Sequence, residues 1–202
     1  RLQALEAAHP ELVDPSSPTQ RVGGAVAAFL PKARHAVPML SLDNAFSDDE
    51  MAAWFDKIVK VDARVGTAPL AVEVKIDGAA LSLTYEDGVL VRGITRGDGS
   101  EGEEITGNVR AIEDIPLRLS GTGWPSLMEV RGEVYIARAA FARVNRERAA
   151  AGLEPLQNPR NAAAGALRQL DPAEARRRRL QFFAYQVVPL RGQWPVAHHH
   201  EA

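Results

Sequence analysis

The sequence predicts an α+β fold, with largely antiparallel sheets and helices set between strands rather than a regular strand–helix–strand repeat. Two observations predict it. Two alternating apolar–polar runs, Ala80–Tyr85 and Val89–Thr95, meet at Asp87-Gly88, a dipeptide that closes hairpins between antiparallel strands. Around them lie helices with their own end signals, such as Ser47 with Glu50 at one start and Gly152 at one stop. At 202 residues the chain holds one sizeable core, or one core and a small appendage.

In chain order, "RLQALEAAHPEL" reads as the last turns of an amphipathic helix broken at His9-Pro10, and it begins without a cap. "VDPSSPTQRVGG" reads as a linker. "SDDEMAAWFDKIVK" is the cleanest helix, with Met51, Trp54, Phe55, Ile58 and Val59 on one apolar stripe. Strands are expected at Ala71–Ile76, at the two hairpin runs, and in "MEVRGEVYI". There Glu129, Arg131, Glu133 and Tyr135 share one face, and Met128, Val130, Gly132, Val134 and Ile136 share the other. A helix over Ala139–Ala151 follows, then a short helix in "NAAAGALRQL". Another helix is expected in "DPAEARRRR", with Asp171 as N-cap and Pro172 at the first position. "LQFFAYQVV" closes the series as a strand.

Hydrophobic residues make up 46% and charged residues 25%, an ordinary globular balance. No run is long enough to span a bilayer and no signal-peptide pattern is present, so no membrane partner is expected. The absence of Cys excludes disulfides and thiolate metal sites within this sequence and agrees with a reducing cytosol. The net charge of −2 gives no overall basic field, so nucleic-acid contact would need local patches such as Arg176–Arg179. That run also reads as a solvated helix end, favoured by the helix dipole. His198–His200 alone supply too few ligands for a zinc site, and no metal ligand is assigned.

Three stretches carry candidate chemistry. In "AVEVKIDGAAL", strand alternation puts Glu73, Lys75 and Asp77 on one face. Lys75 is a candidate nucleophile, yet a lysine attacks only when deprotonated, and neighbouring carboxylates oppose that. The trio reads equally as a solvated strand face. "TRGDGSEGEEITGNVR" is longer and more charged than a hairpin needs, although its composition also suits a mobile loop. "NPRNAAAGALRQLD" places Arg160 and Arg168 on either side of a small-residue segment. Planar guanidinium groups suit phosphate, while an ordinary packing helix with exposed arginines is the plain alternative.

Taken together, "SPTQRVGG", "PMLSLDNAFSDDE", "VKIDG", "TRGDGSEGEEITGNVRAIEDIPL", "EVRGEVYI" and "QNPRNAAAGALRQLD" stand in this order over almost the whole chain. This set closely resembles the adenylation (nucleotidyltransferase) domain of bacterial NAD-dependent DNA ligases. The resemblance implies a nucleotidyltransferase fold, incomplete on its C-terminal side. Residues 1–29 would be the end of a helical NMN-binding subdomain with its linker, and 30–202 a partial adenylation domain. It implies that Lys75 attacks the α-phosphorus of NAD to form lysyl-AMP, with Asp77 assisting. Glu73 and the Ser41-Leu42 segment would contact adenine, Tyr185 would stack on it, and Glu133 would lie near the ribose. Arg96, Arg160 and Arg168 would handle the nucleotide or the nick phosphates.

The expected activity is joining of nicks in duplex DNA through lysyl-AMP and DNA adenylate, in replication and repair. NAD would be the AMP donor, with Mg²⁺ held through phosphates and water. Zn²⁺ is expected only in a C-terminal part of the full-length protein. Two AMP-pocket lysines and the oligonucleotide-binding, zinc-finger, helix-hairpin-helix and BRCT modules of the family have no counterpart in this sequence. The fragment is therefore not expected to seal nicks alone. A monomeric, cytoplasmic protein working on the nucleoid is expected. The alternatives are an ATP- or GTP-dependent nucleotidyltransferase of the ligase or capping type, and a noncatalytic nucleic-acid-binding module. Only six Phe and three Trp argue against a generic single-strand binder.

Overall fold

A computed structural model describes residues 2–21, 29–194 and 196; His198–His200 lie outside them. The chain divides into two compact units: the residues up to Met39 together with those from Ile76 onward, and Leu40–Lys75.

The larger unit is built on a four-stranded antiparallel sheet in the order β3-β2-β5-β6, formed by β2 (Ala79–Glu86), β3 (Val89–Thr95), β5 (Leu127–Ile136) and β6 (Leu180–Arg191). The α+β, antiparallel expectation thus holds. Asp87 and Gly88 both have positive φ (46° and 76°), the backbone that a tight two-residue hairpin needs to match strand twist. β2 is central, and both of its faces are covered: Leu81, Leu83 and Tyr85 are buried, and so are Ser82 and Thr84. The core also takes Met128, Val134 and Ile136 from β5. Four helices complete it: α3 (Thr106–Arg110) with Val109, α4 (Arg138–Ala150) with Val144, α5 (Pro159–Leu167) with Ala163 and Ala166, and α6 (Ala173–Arg177) with Ala175.

Two short strands, β1 (Lys32–Arg34) and β4 (Glu101–Glu103), pair antiparallel. They turn the charged "TRGDGSEGEE" stretch into an ordered turn. Gly97 and Gly99 adopt positive φ (58° and 95°), and Asp98 Oδ1 accepts the amides of Ser100 and Glu101 at 2.8 and 2.9 Å. Beyond it Ile105, Ile112 and Ile115 are fully buried, so the mobile-loop alternative does not hold.

Three expectations need correction. The strand Ala71–Ile76 does not form; regular pairing begins only at Ala79, and Val72 and Val74 are 95% and 73% exposed. A strand exists through its hydrogen-bonded neighbour, and alternation alone supplies none. The helix expected from Asp171 is confined to Ala173–Arg177; Asp171 still accepts the Ala173 amide at 2.9 Å. The N-terminal helix, α1 (Leu2–Ala8), leads to a segment that is not a free linker. Arg21 donates to the carbonyls of Arg110, Ile112 and Ile115 at 3.1, 2.7 and 2.6 Å, bracing the last residue of α3 and the turns that follow it.

The smaller unit carries α2 (Asp48–Val61). Ser47 Oγ accepts the Glu50 amide at 3.2 Å, as expected, while Glu50 Oε2 accepts the Phe46 amide at 2.6 Å, one residue earlier than a capping box requires. Phe55, Ile58 and Val59 are half-buried, whereas Met51 and Trp54 stay exposed.

Gly132 of β5 faces the Phe182 ring and the Phe183 carbonyl of β6, both of which a Cβ there would overlap. Gly132→Ala is expected to cost about 1–3 kcal/mol or more. Phe182→Leu should recover only part of that loss, since the carbonyl is backbone; urea midpoints measure both effects.

Candidate active site

The chemistry-bearing side chains of the larger unit gather where α5 packs against β5 and β2. Its small residues make this approach possible, with Ala162, Ala163 and Ala166 all buried. Asn158 caps the helix, its Oδ1 accepting the amides of Arg160 and Asn161 at 2.7 and 3.3 Å, and Pro159 fills the first turn. Arg160 is thereby fixed at the helix start, where its Nη1 lies 3.2 Å from Asp77 Oδ1, an exposed pair. Arg168 forms the C-cap of the same helix, and its Nε lies 2.8 Å from Glu103 Oε2 on β4.

At the Arg168 end of this helix a cleft of about 130 Å³ opens, bordered by Ala79 and Ala80 at the start of β2, by Arg96 and Gly97, and by Ala164 and Arg168. Two guanidinium groups at the rim of a small cleft floored by alanines suit a phosphate, which accepts several donors in a plane. Gly78, just before β2, donates its amide to Glu133 Oε1 at 3.1 Å, so this carboxylate holds the end of the "KIDG" segment.

Tyr185 stands at a bulge. Arg131 pairs with Gln186 and Gly132 with Ala184, leaving Tyr185 as the extra residue of β6. Bulges redirect side chains, and this one leaves the ring half-exposed. Burial, and then the Glu133 carboxylate, push its phenol above its ordinary value, against the opposing charges of Arg131 and Arg96.

The structure thus brings Asp77, Arg96, Glu133, Arg160, Arg168 and Tyr185 into one unit. Ser41, Leu42, Glu73 and Lys75 belong to the other unit, all exposed. The arginines of "RRRR" are largely occupied internally. Arg178 donates to Ala162 O at 2.8 Å, Arg177 pairs with Glu174, and Arg176 lies 4.0 Å from Glu113. No group of three or more His, Cys, Asp or Glu side chains among the described residues forms a metal cage. No helix among them is long and apolar enough to cross a membrane.

Four supporting residues escape the motif reading. His35 is buried, and its Nε2 lies 3.1 Å from the Arg96 carbonyl, an acceptor that places the proton on Nε2. Glu129 and Arg131 form a buried pair, and Arg131 also donates to the carbonyls of Val37 and Pro38. Asn108 is buried at the end of α5. The one available signal is a polar residue recurring at core spacing, as with Asn108 among Ile105, Val109 and Ile112.

Comparison with known proteins adds identity to this geometry. The family profile described as NAD-dependent DNA ligase adenylation domain matches residues 27–202. A second, described as DNA ligase-like, N-terminal NAD+-binding domain, matches residues 1–23. The chain is 54% identical to a DNA ligase of Alkalilimnicola ehrlichii over 198 residues, covering 98% of this chain and 29% of that protein. It is 54% identical to one of Stenotrophomonas maltophilia over 193 residues, covering 95% and 23%. It is 51% identical to one of Roseiflexus castenholzii over 213 residues, covering 98% and 30%. The chain therefore spans less than a third of the length of these relatives.

Because the folded environment favours the neutral phenol of Tyr185, its ionisation should lie above the ordinary value of about 10. Replacing Glu133 by Gln should lower it toward that value. Ultraviolet difference titration against Tyr185→Phe reads this directly; an unchanged ionisation in Glu133→Gln would contradict the arrangement.

Proposed function

The chain belongs to the NAD-dependent DNA ligase adenylation-domain family, and on that premise we propose that it is the nucleotidyltransferase part of a ligase that joins nicks in duplex DNA. The observation that carries the reading is that Arg160 pairs with Asp77 of "KIDG", while Arg96 and Arg168, from distant segments, border one cleft with Ala79 and Ala80 just after it. Residues 1–29 are proposed as the end of the NMN-binding subdomain and 30–202 as the adenylation domain.

In this reading the neutral Lys75 amine attacks the α-phosphorus of NAD. A P–N bond forms, the pyrophosphate P–O bond breaks, nicotinamide mononucleotide leaves, and the Nζ proton passes to solvent. The 5′-phosphate of a nick then displaces the lysine to give DNA adenylate, and the neighbouring 3′-hydroxyl closes the strand with release of AMP. Arg96, Arg160 and Arg168 hold the phosphate oxygens on which charge spreads, which is where such reactions gain their stabilisation. Asp77 orients the reacting phosphate beside Lys75 and, when nucleotide is absent, neutralises Arg160. Glu73, Ser41 and Leu42 read the adenine, Tyr185 stacks on it, and Glu133 sets the sugar side of the pocket.

Mg²⁺ is the proposed metal partner. The donor chemistry fits a weakly held ion: among the described residues no three acidic or histidine side chains form a cage, a carboxylate such as Asp77 is a hard oxygen donor, and Mg²⁺ retains water and takes phosphate oxygens. It would neutralise phosphate charge. The setting is proposed to be cytoplasmic, and the working unit a monomer on nicked DNA.

The test is incubation of the complete polypeptide with Mg²⁺ and either NAD or ATP, followed by mass spectrometry. A covalent AMP on Lys75 from NAD, abolished by Lys75→Ala, is expected. An adduct from ATP and not NAD would contradict the assignment of donor, and no adduct from either would contradict the reaction.

A further inference from the structure

The geometry points to Asn108 as a positioning residue for Arg168, an inference that rests on the proposed role of Arg168 in handling phosphate. Asn108 is 3% exposed. Its Nδ2 donates to the carbonyl of Leu167 at 2.6 Å and to that of Gln169 at 2.7 Å. These carbonyls belong to the residues on either side of Arg168. Two carbonyl acceptors in these places require the amide nitrogen there, since the amide oxygen has no hydrogen to offer.

The end of α5 needs this support. Helix C-termini leave carbonyls without intrahelical partners. The last bonds that α5 makes for itself are long, Arg168 N to Ala164 O at 3.3 Å and Gln169 N to Ala166 O at 3.3 Å. The shorter pair comes from Asn108, so one side chain holds the Leu167–Arg168 and Gln169–Leu170 peptides and brackets Arg168 between them. Its guanidinium then meets Glu103 and borders the cleft opposite Arg96.

Asn108 can do this because α3 is itself immobilised. The Ile105 amide donates to Gly93 O at 2.9 Å, and the Gly93 amide donates to Thr106 Oγ1 at 3.1 Å. Val109 fills the space beside Gly93, and Arg21 holds the carbonyls at the far end of the helix. A rigid path runs from β3 through α3 to the cleft arginine. Glu103, on the guanidinium side, completes a two-point hold in which the carboxylate yields to phosphate while the backbone stays in place.

The experiment compares wild type, Asn108→Ala, Arg168→Ala and the double variant in the complete polypeptide. It measures NAD-driven sealing of a nicked duplex, melting temperature, and amide hydrogen exchange of the segment 165–170. Asn108→Ala should slow sealing on the order of ten- to a hundredfold, the effect of a small misplacement of a reacting group. The double variant should be no slower than Arg168→Ala alone, and exchange at 165–170 should accelerate without a matching change in β2 and β5. If Asn108→Ala does not fold, Asn108→Ser, which keeps one donor, should show the same pattern in smaller measure. Losses that multiply in the double variant, or unchanged exchange at 165–170, overturn the inference while leaving the ligase reading intact. A wild-type protein that forms no lysyl-AMP overturns the ligase reading, and the catalytic role of Asn108 with it.

Discussion

The arrangement depends on one buried charge. Arg131 lies inside the sheet region, its side chain 6% exposed, and a guanidinium in that position is tolerable only if every donor is met. Glu129, two residues earlier on the same strand, supplies the countercharge at 2.9 Å, and the carbonyls of Pro38 and Val37 take two further donors, so each guanidinium nitrogen has a partner. The segment Pro31–Met39 is therefore drawn over β5. From there the His35 and Met39 amides bind the carbonyls of Ser100 and Gly99, and Pro31 O accepts the Glu104 amide. The turn carrying Arg96 is thus held on one side by backbone bonds to the segment that this ion pair anchors, and on the other by the bond from the Arg96 amide to Ala80 O.

The same device recurs around the cleft. Arg21 meets the Arg110 carbonyl at the end of α3, Asn108 meets the open end of α5, and Arg178 donates to Ala162 O. Cationic and amide side chains hold backbone carbonyls at or near helix ends, so the arginines left at the cleft stand on a braced backbone. Arg160 and Arg168 are each balanced by a carboxylate, Asp77 and Glu103. The Arg160–Asp77 pair is exposed and adds little stability, and Arg168 is exposed above a half-buried Glu103, so both guanidinium groups remain open to a phosphate.

Local chemistry made much of the fold legible in the sequence. Asp87-Gly88 announces its hairpin, Ser47 starts α2, and Gly152 follows α4 with positive φ. Each signal acts within a few residues. The failures share the opposite property. Ala71–Ile76 alternates like a strand, but pairing is a tertiary fact that alternation does not contain. Glu129 and Arg131 were legible as polar residues on one face of β5, whereas their burial depends on a segment more than ninety residues away. The motifs named the arginines of the site. They gave no view of His35 and Asn108, whose partners are backbone groups that any residue type would offer, nor of Glu103 as the partner of Arg168.

The central claim, that a buried and coupled ion pair anchors this framework, is tested most directly by urea denaturation of wild type, Glu129→Leu, Arg131→Met and the double variant. Glu129→Leu strands the Arg131 charge and should cost about 3–5 kcal/mol. The double variant should be more stable than that single one, because no charge is left without its partner. If the losses of the two single variants simply add in the double, the residues are not coupled, and the account of what holds the site is wrong.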